Sequence, residues 1–188
     1  MSWTLAPADL RTCASLLQLW TEKEGLLSRV AHDLCIRAEE ANLTLSEDST
    51  GVSTLVLEIP IQGLRVQGQV KRGQIKPLST KDHAEIESSL QSAAVFDAAR
   101  FPHAIYRGTL ERRGDQATLK GELELRGQRR SLPLSATWRE VSEGVEVSGE
   151  VTLRQSAWGI APFKAMLGAI KVKDELRVSW RLLLREAP

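Results

Sequence analysis

The chain is poor in the residues that build reactive centres: its 188 residues hold only two cysteines and three histidines. Cys13 and Cys35 lack CxxC spacing and are too few for a disulfide scaffold, so reduced thiols are expected. His32, His83 and His103 lie far apart with no HxxxH or CxxH arrangement, which argues against zinc, and no cofactor motif is present. An excess of one charge is also missing. Lys plus Arg is 25 and Asp plus Glu is 24, and a net charge of +1 offers no bulk attraction to nucleic acid or acidic membranes. The best apolar stretch, Cys13 to Trp20, is interrupted by Ser15 and Gln18 and falls far short of the ~20 residues of a spanning helix. That stretch follows Asp9, has only Arg11 before it and ends without a small-residue cleavage site, so it does not read as a secretory signal, and a cytoplasmic location is expected. With 13 Gly and 7 Pro there is no low-complexity tail, and 42% hydrophobic with 26% charged residues is ordinary for a soluble globular chain.

What is present is a period of two. In Gly144–Arg154 the residues Val145, Val147, Val151 and Leu153 share one face, while Glu146, Ser148, Glu150, Thr152 and Arg154 share the other. Asp174–Arg185 repeats the pattern, with Leu176, Val178, Trp180, Leu182 and Leu184 on the apolar side. Two further strands lie between Gln116 and Arg139. One turns Ala117, Leu119, Leu123 and Leu125 inward, the other Leu132, Leu134, Ala136 and Trp138, and the RGQRR turn joins them. His103–Arg112 and Val52–Leu64 make two more, and Arg11–Glu24 and Leu34–Leu45 complete about eight strands with a less regular pattern. One stretch, Ser79–Ala93, predicts a helix, with Ser79 or Thr80 as the cap and Ile86 and Leu90 four apart; shorter helical turns are expected in 26–34 and 162–169. No repeat or linker divides the chain, so residues 1–188 form one domain.

This pattern predicts an all-β fold, an antiparallel up-and-down barrel of about eight strands with one helix in the link between strands three and four. If the strands run in order, the short connections near Asp48, Gly114 and Gly144 share one end, which reads as closed. The links carrying His32 and Asp33, the helix with Lys81, the Arg126–Arg130 turn and the 158–167 segment share the other, which reads as a mouth. Small inward residues, Ala117, Gly121, Ala136 and Gly149, leave room for a ligand beneath it unless larger neighbours fill the gaps.

Several short motifs, in order, resemble the YceI-like family of lipocalin-like polyisoprenoid-binding proteins. Trp3-Thr4-Leu5-Ala6-Pro7 is similar to its opening element, and Lys81-Asp82-His83 to its helix start. Val95–Pro102 (VFDAARFP) resembles its Phe-Asp-to-Pro element, Gly121–Gly127 (GELELRG) its strand and turn, and Ser156–Pro162 (SAWGIAP) its segment before the last strand. Departures are Ala6 in place of Asp, His83 one position early, and Gln155 where many members carry Arg. Most members are exported, whereas this chain shows no signal peptide. The resemblance implies a barrel enclosing an isoprenoid or quinone-like lipid, with no catalysis, and a homodimer as the family habit.

The expected ligand wall is Leu123, Leu134, Val178 and Trp180 with Phe96 and Trp158, and Phe163 and Met166 form a flexible apolar lid. At the mouth, Arg126 and Arg130 with Arg129, helped by Lys81, His83 or Lys164, are placed to meet an anionic headgroup. Two other readings compete: a ligand-free interaction module with a packed core, and a lipid-modifying enzyme using His32 or His83. Against the enzyme, the His32-Asp33 and Asp82-His83 neighbours do not face each other, and no GxSxG signature accompanies them.

Overall fold

The computed structural model describes residues 2–24, 33–165 and 170–187. Fourteen short strands and two helices follow in chain order: β1 (Ser2–Leu5), α1 (Pro7–Arg11), β2 (Leu16–Glu24), β3 (Leu34–Ala38), β4 (Asn42–Glu47), β5 (Ser53–Pro60), β6 (Leu64–Lys71), β7 (Gln74–Lys76), α2 (Thr80–Gln91), β8 (His103–Arg113), β9 (Gln116–Leu125), β10 (Gln128–Ser131), β11 (Leu134–Val141), β12 (Gly144–Arg154), β13 (Lys164–Ala165) and β14 (Ile170–Glu186). Two pairs act as single bent staves. β3 with β4 runs antiparallel to β5 with β6, and a 3-10 turn at Ile61–Gly63 sits at the bend. Every strand pair is antiparallel, and the staves close in sequence order from β2 round to β14, which pairs back onto β2. The result is the expected eight-stranded up-and-down barrel.

The alternation seen in the sequence sets the inside and the outside. Val145, Val147 and Leu153 of β12 are buried, as are Leu176, Leu182 and Leu184 of β14, and their neighbours carry the charges outward. A residue period of two forces this division on any pleated strand with one wet face. The short turns are built by local chemistry. Between β4 and β5 the Asp48 carboxylate accepts from Thr50 N (2.8 Å), Thr50 Oγ1 (2.7 Å) and Val52 N (3.0 Å). Between β9 and β10, Arg126 and Gly127 both have positive φ, 51° and 68°, as a type I′ hairpin requires.

Several boundaries differ from the sequence reading. Strand one starts at Leu16 rather than Arg11, because Pro7–Arg11 forms a helical turn held by the buried Asp9, which accepts from Arg185. β2 begins at Leu16, opposite Arg181, and beyond it β1 takes over the same edge of β14 at Leu184, filling the wedge between β14 and β4. The β6–β7 hairpin occupies what read as part of a link, since its Gln- and Lys-rich face hides the period. The RGQRR turn is tighter than expected, because β10 continues from Gln128. In 162–169, β13 replaces the expected helical turn as far as Ala165; residues 166–169 lie outside the described residues, as do 26–32 of the turn expected at 26–34, whose last residue, Leu34, begins β3.

α2 has the predicted cap, with Ser79 Oγ accepting from Asp82 N at 3.1 Å. It precedes β8 and lies against β6. There His83 Nε2 donates to Val66 O (2.9 Å), and Glu87 accepts from Val66 N (3.1 Å). These two side chains satisfy backbone groups of β6 that no ladder partner reaches, which protects an otherwise exposed edge.

Candidate ligand cavity

Inside the barrel lies a cavity of about 190 Å³ that runs most of its length. Phe96, Ile160 and Ile61 wall one end, Leu45, Leu110 and Trp138 the other, and Leu123, Leu134, Val178 and Trp180 the middle. Among the described residues its wall carries no Asp, Glu, Lys, Arg or His. Besides the indoles of Trp138 and Trp180, three polar side chains touch it, and each of the three is engaged elsewhere. Tyr106 Oη donates to Leu132 O (3.0 Å), Gln155 Nε2 to Lys173 O (2.8 Å), and Gln18 Nε2 to Cys35 Sγ (3.4 Å). Burial pushes the Tyr106 phenol up to about 12, so it remains a neutral donor. The buried Cys35 thiol is pushed up to about 11 by desolvation, against the opposing pull of Gln18, Arg37 and Arg177. The described wall thus offers a guest dispersion and exclusion of water.

The inward small residues do not create this space. A Cβ on Gly121 would lie 2.6 Å from Tyr106 Oη, and one on Gly149 would lie 2.5 Å from Trp180 Cζ2. Both gaps are therefore filled by a cross-strand ring, and Ala117 and Ala136 pair with each other inside the packed core. The room comes instead from leucines around the barrel that do not meet at its axis.

Among the described residues the end expected to be a mouth carries an apolar plug. Phe96, Leu125, Leu153, Trp158, Ile160 and Leu176 belong to a second buried apolar cluster there. Arg126 staples it: Nη1 donates to Gly159 O (2.9 Å) and Nη2 to Ala93 O (3.0 Å), joining links 66 residues apart. The Phe101 ring fills the space a side chain at Gly127 would need, with its Cε1 2.7 Å from the missing Cβ. The three longest sequence motifs, VFDAARFP, GELELRG and SAWGIAP, thus meet at one place and lock one end of the barrel.

Of the expected wall residues, Phe96, Leu123, Leu134, Val178 and Trp180 line the cavity. Trp158 is buried beside it in the plug, with its indole Nε1 donating to Leu123 O at 3.0 Å. Phe163 is 58% exposed and Met166 lies outside the described residues. Lys81 is on the outer face of α2 beside Glu85 (3.8 Å), and His83 bonds Val66 as described. Arg129 pairs with Glu124 (3.0 Å) and Arg130 with Gln128 (2.8 Å), so the arginines are not gathered on one anion site. His32 lies outside the described residues, while Asp33 accepts from Lys23 N at 2.7 Å. Tyr106, Ile160, Leu45 and Leu110 are wall residues that sequence reasoning missed. Tyr106 and Leu110 share the inward parity of β8, and Ile160 lies within a motif already noted. Among the described residues no helix is long and apolar enough to cross a membrane, and no cluster of three metal-ligating side chains occurs.

Comparison with known proteins agrees with this architecture. A solved structure of Burkholderia cenocepacia BcnA superimposes with a TM-score of 0.69 over 97% of this chain and 99% of that one, at 13% identity. The Campylobacter jejuni YCEI protein gives 0.57 over 81% of this chain and 85% of its own, also at 13% identity. A search of curated proteins finds no sequence relative. The sequence profile of the YceI-like domain matches residues 29–184, most of the chain, and on that match the chain belongs to the YceI-like domain family.

Proposed function

We propose that this protein binds and carries an elongated apolar molecule, isoprenoid or quinone-like, inside the barrel, without chemically changing it. The observation that carries the reading is the lumen: a lengthwise apolar cavity in which Tyr106 and Gln155 already have partners. Membership in a family whose barrel is known for binding hydrophobic ligands supports it. Burial alone can supply the affinity. At ~0.8 kcal/mol per CH₂, about eight buried carbons contribute roughly 6 kcal/mol before association costs. A cavity of about 190 Å³ is somewhat larger than the ~150 Å³ apolar void that holds benzene, so a longer chain requires wall leucines to change rotamer. Both cysteines are free, which accords with a reducing, cytoplasmic setting.

A packed, ligand-free barrel acting through its surface is the second reading. It is favoured by the rings that fill the Gly121 and Gly149 gaps. Native mass spectrometry of protein purified from its own host, followed by organic extraction, separates the two. A stoichiometric lipophilic adduct lost on unfolding is the expected result. A bare polypeptide mass, with no uptake of added prenyl alcohols, would refute the carrier reading.

A further inference from the structure

Among the described residues the two ends of the cavity are bordered by different means. At the link end, closure involves backbone, a buried apolar cluster and the two Arg126 hydrogen bonds. At the turn end, Leu45, Leu110 and Trp138 each present one side to the cavity and the other to an outer groove of about 770 Å³. These three residues border both spaces. Trp138 is held from outside by the Arg112 guanidinium, 5.4 Å above its ring, and by Trp3, edge-on at 6.5 Å. Arg112 in turn pairs with the exposed Glu140 at 3.8 Å.

We infer that apolar ligands enter and leave through this side-chain gate, at the end the short turns occupy, and that the ligand's polar end rests in the outer groove. The inference rests on the carrier reading. Opening the gate asks for rotamer changes of Leu110, which is only partly buried, and of Trp138, whose outer side meets Arg112 and Trp3, whereas among the described residues opening the link end asks for the two Arg126 hydrogen bonds and the apolar cluster beneath them to come apart. The groove also selects a class of head. Glu47, Glu111 and Glu140 face it together with Arg112 and Arg113, Glu111 is bound by Lys120 (2.6 Å), and Glu140 meets Arg112. Three carboxylates against two guanidiniums give no excess of positive charge for a pyrophosphate, and the Trp138–Arg112 stack suits an uncharged alcohol or quinone head.

The test uses retinol, an isoprenoid alcohol that fluoresces in apolar surroundings, and follows its release from the full chain into excess neutral lipid vesicles. Arg112→Ala removes the outer support of Trp138 without touching the core, and Leu110→Ala thins the partition. Thermal melts establish that each variant is folded. Release is expected to accelerate roughly two- to fivefold in Arg112→Ala, the equivalent of one exposed cation–π contact, and further in Leu110→Ala. An equal or larger acceleration in Arg126→Ala would place the route at the link end and overturn the inference, leaving the carrier reading intact. Failure of the wild-type chain to bind retinol or any prenyl alcohol would overturn the carrier reading itself and the gate with it.

Discussion

Gly149 sits opposite Trp180 in the β12–β14 ladder and carries the most telling single substitution. A Cβ there would stand 2.5 Å from Trp180 Cζ2, 3.0 Å from Trp180 Cε2 and 2.6 Å from Ser135 O. The indole can yield, because it lines the cavity and has open space on its far side, but the Ser135 carbonyl belongs to the neighbouring strand and can yield little. Gly149→Ala is therefore expected to cost about 1–2 kcal/mol, an overpacking penalty partly offset by the reduced freedom of the unfolded chain. For a domain of this size that corresponds to a fall in melting temperature of roughly 2–8 °C. The displaced indole also moves into the lumen. Losing room for two methylenes weakens binding of a prenyl alcohol by ~1.6 kcal/mol, or about 15-fold. The assay pairs thermal melts with a fluorescence titration, on Gly149→Ala and on the double variant with Trp180→Leu. The second change should restore binding fully but stability only in part, because the Ser135 clash persists. Wild-type stability and affinity in Gly149→Ala would show that Trp180 does not occupy the Gly149 gap, and the account of how the lumen is shaped would fall.

Three further outcomes follow from the same structure. Leu134→Asp buries a carboxylate in the lumen, and native mass spectrometry of the soluble, folded variant should find no lipophilic adduct. Arg126→Ala removes donors to Ala93 O and Gly159 O, so hydrogen exchange should quicken around residues 93–101 and 159–160 while the β12–β14 ladder keeps its protection. The Cys35 thiol titrates near 11 in the folded chain against an ordinary 9.0, so the unfolded chain releases this proton first as pH rises. Its contribution to stability is thus intact below about pH 9 and lost between 9 and 11, and denaturant midpoints measured across that range should fall less steeply in Cys35→Ala.

The barrel was legible because alternation is a local property. Val145, Val147 and Leu153 announce an inner face whatever they meet, and the same parity placed Leu123, Leu134, Val178 and Trp180 on the cavity wall. The Ser79 cap was legible for the same reason, since its partner is three residues away. β6 escaped notice because its Gln- and Lys-rich face hides the period, and its open edge is satisfied by His83 and Glu87 of α2, a contact no window of sequence contains. His83 and Arg126 drew functional readings as polar residues at the expected mouth, yet both spend their donors on backbone carbonyls of distant segments.

By itself, then, the sequence determined the class of fold, the order of its staves and which side chains face inward, because a strand's pleat ties each of these to neighbours one or two residues away. Only the tertiary structure decided what fills the gaps at Gly121 and Gly149, which end carries the apolar plug, and which side chains border both the lumen and the outer groove. Those outcomes depend on Tyr106, Trp180, Arg126 and Trp138 meeting residues from other strands and links, and closure of the ring is what brings them together.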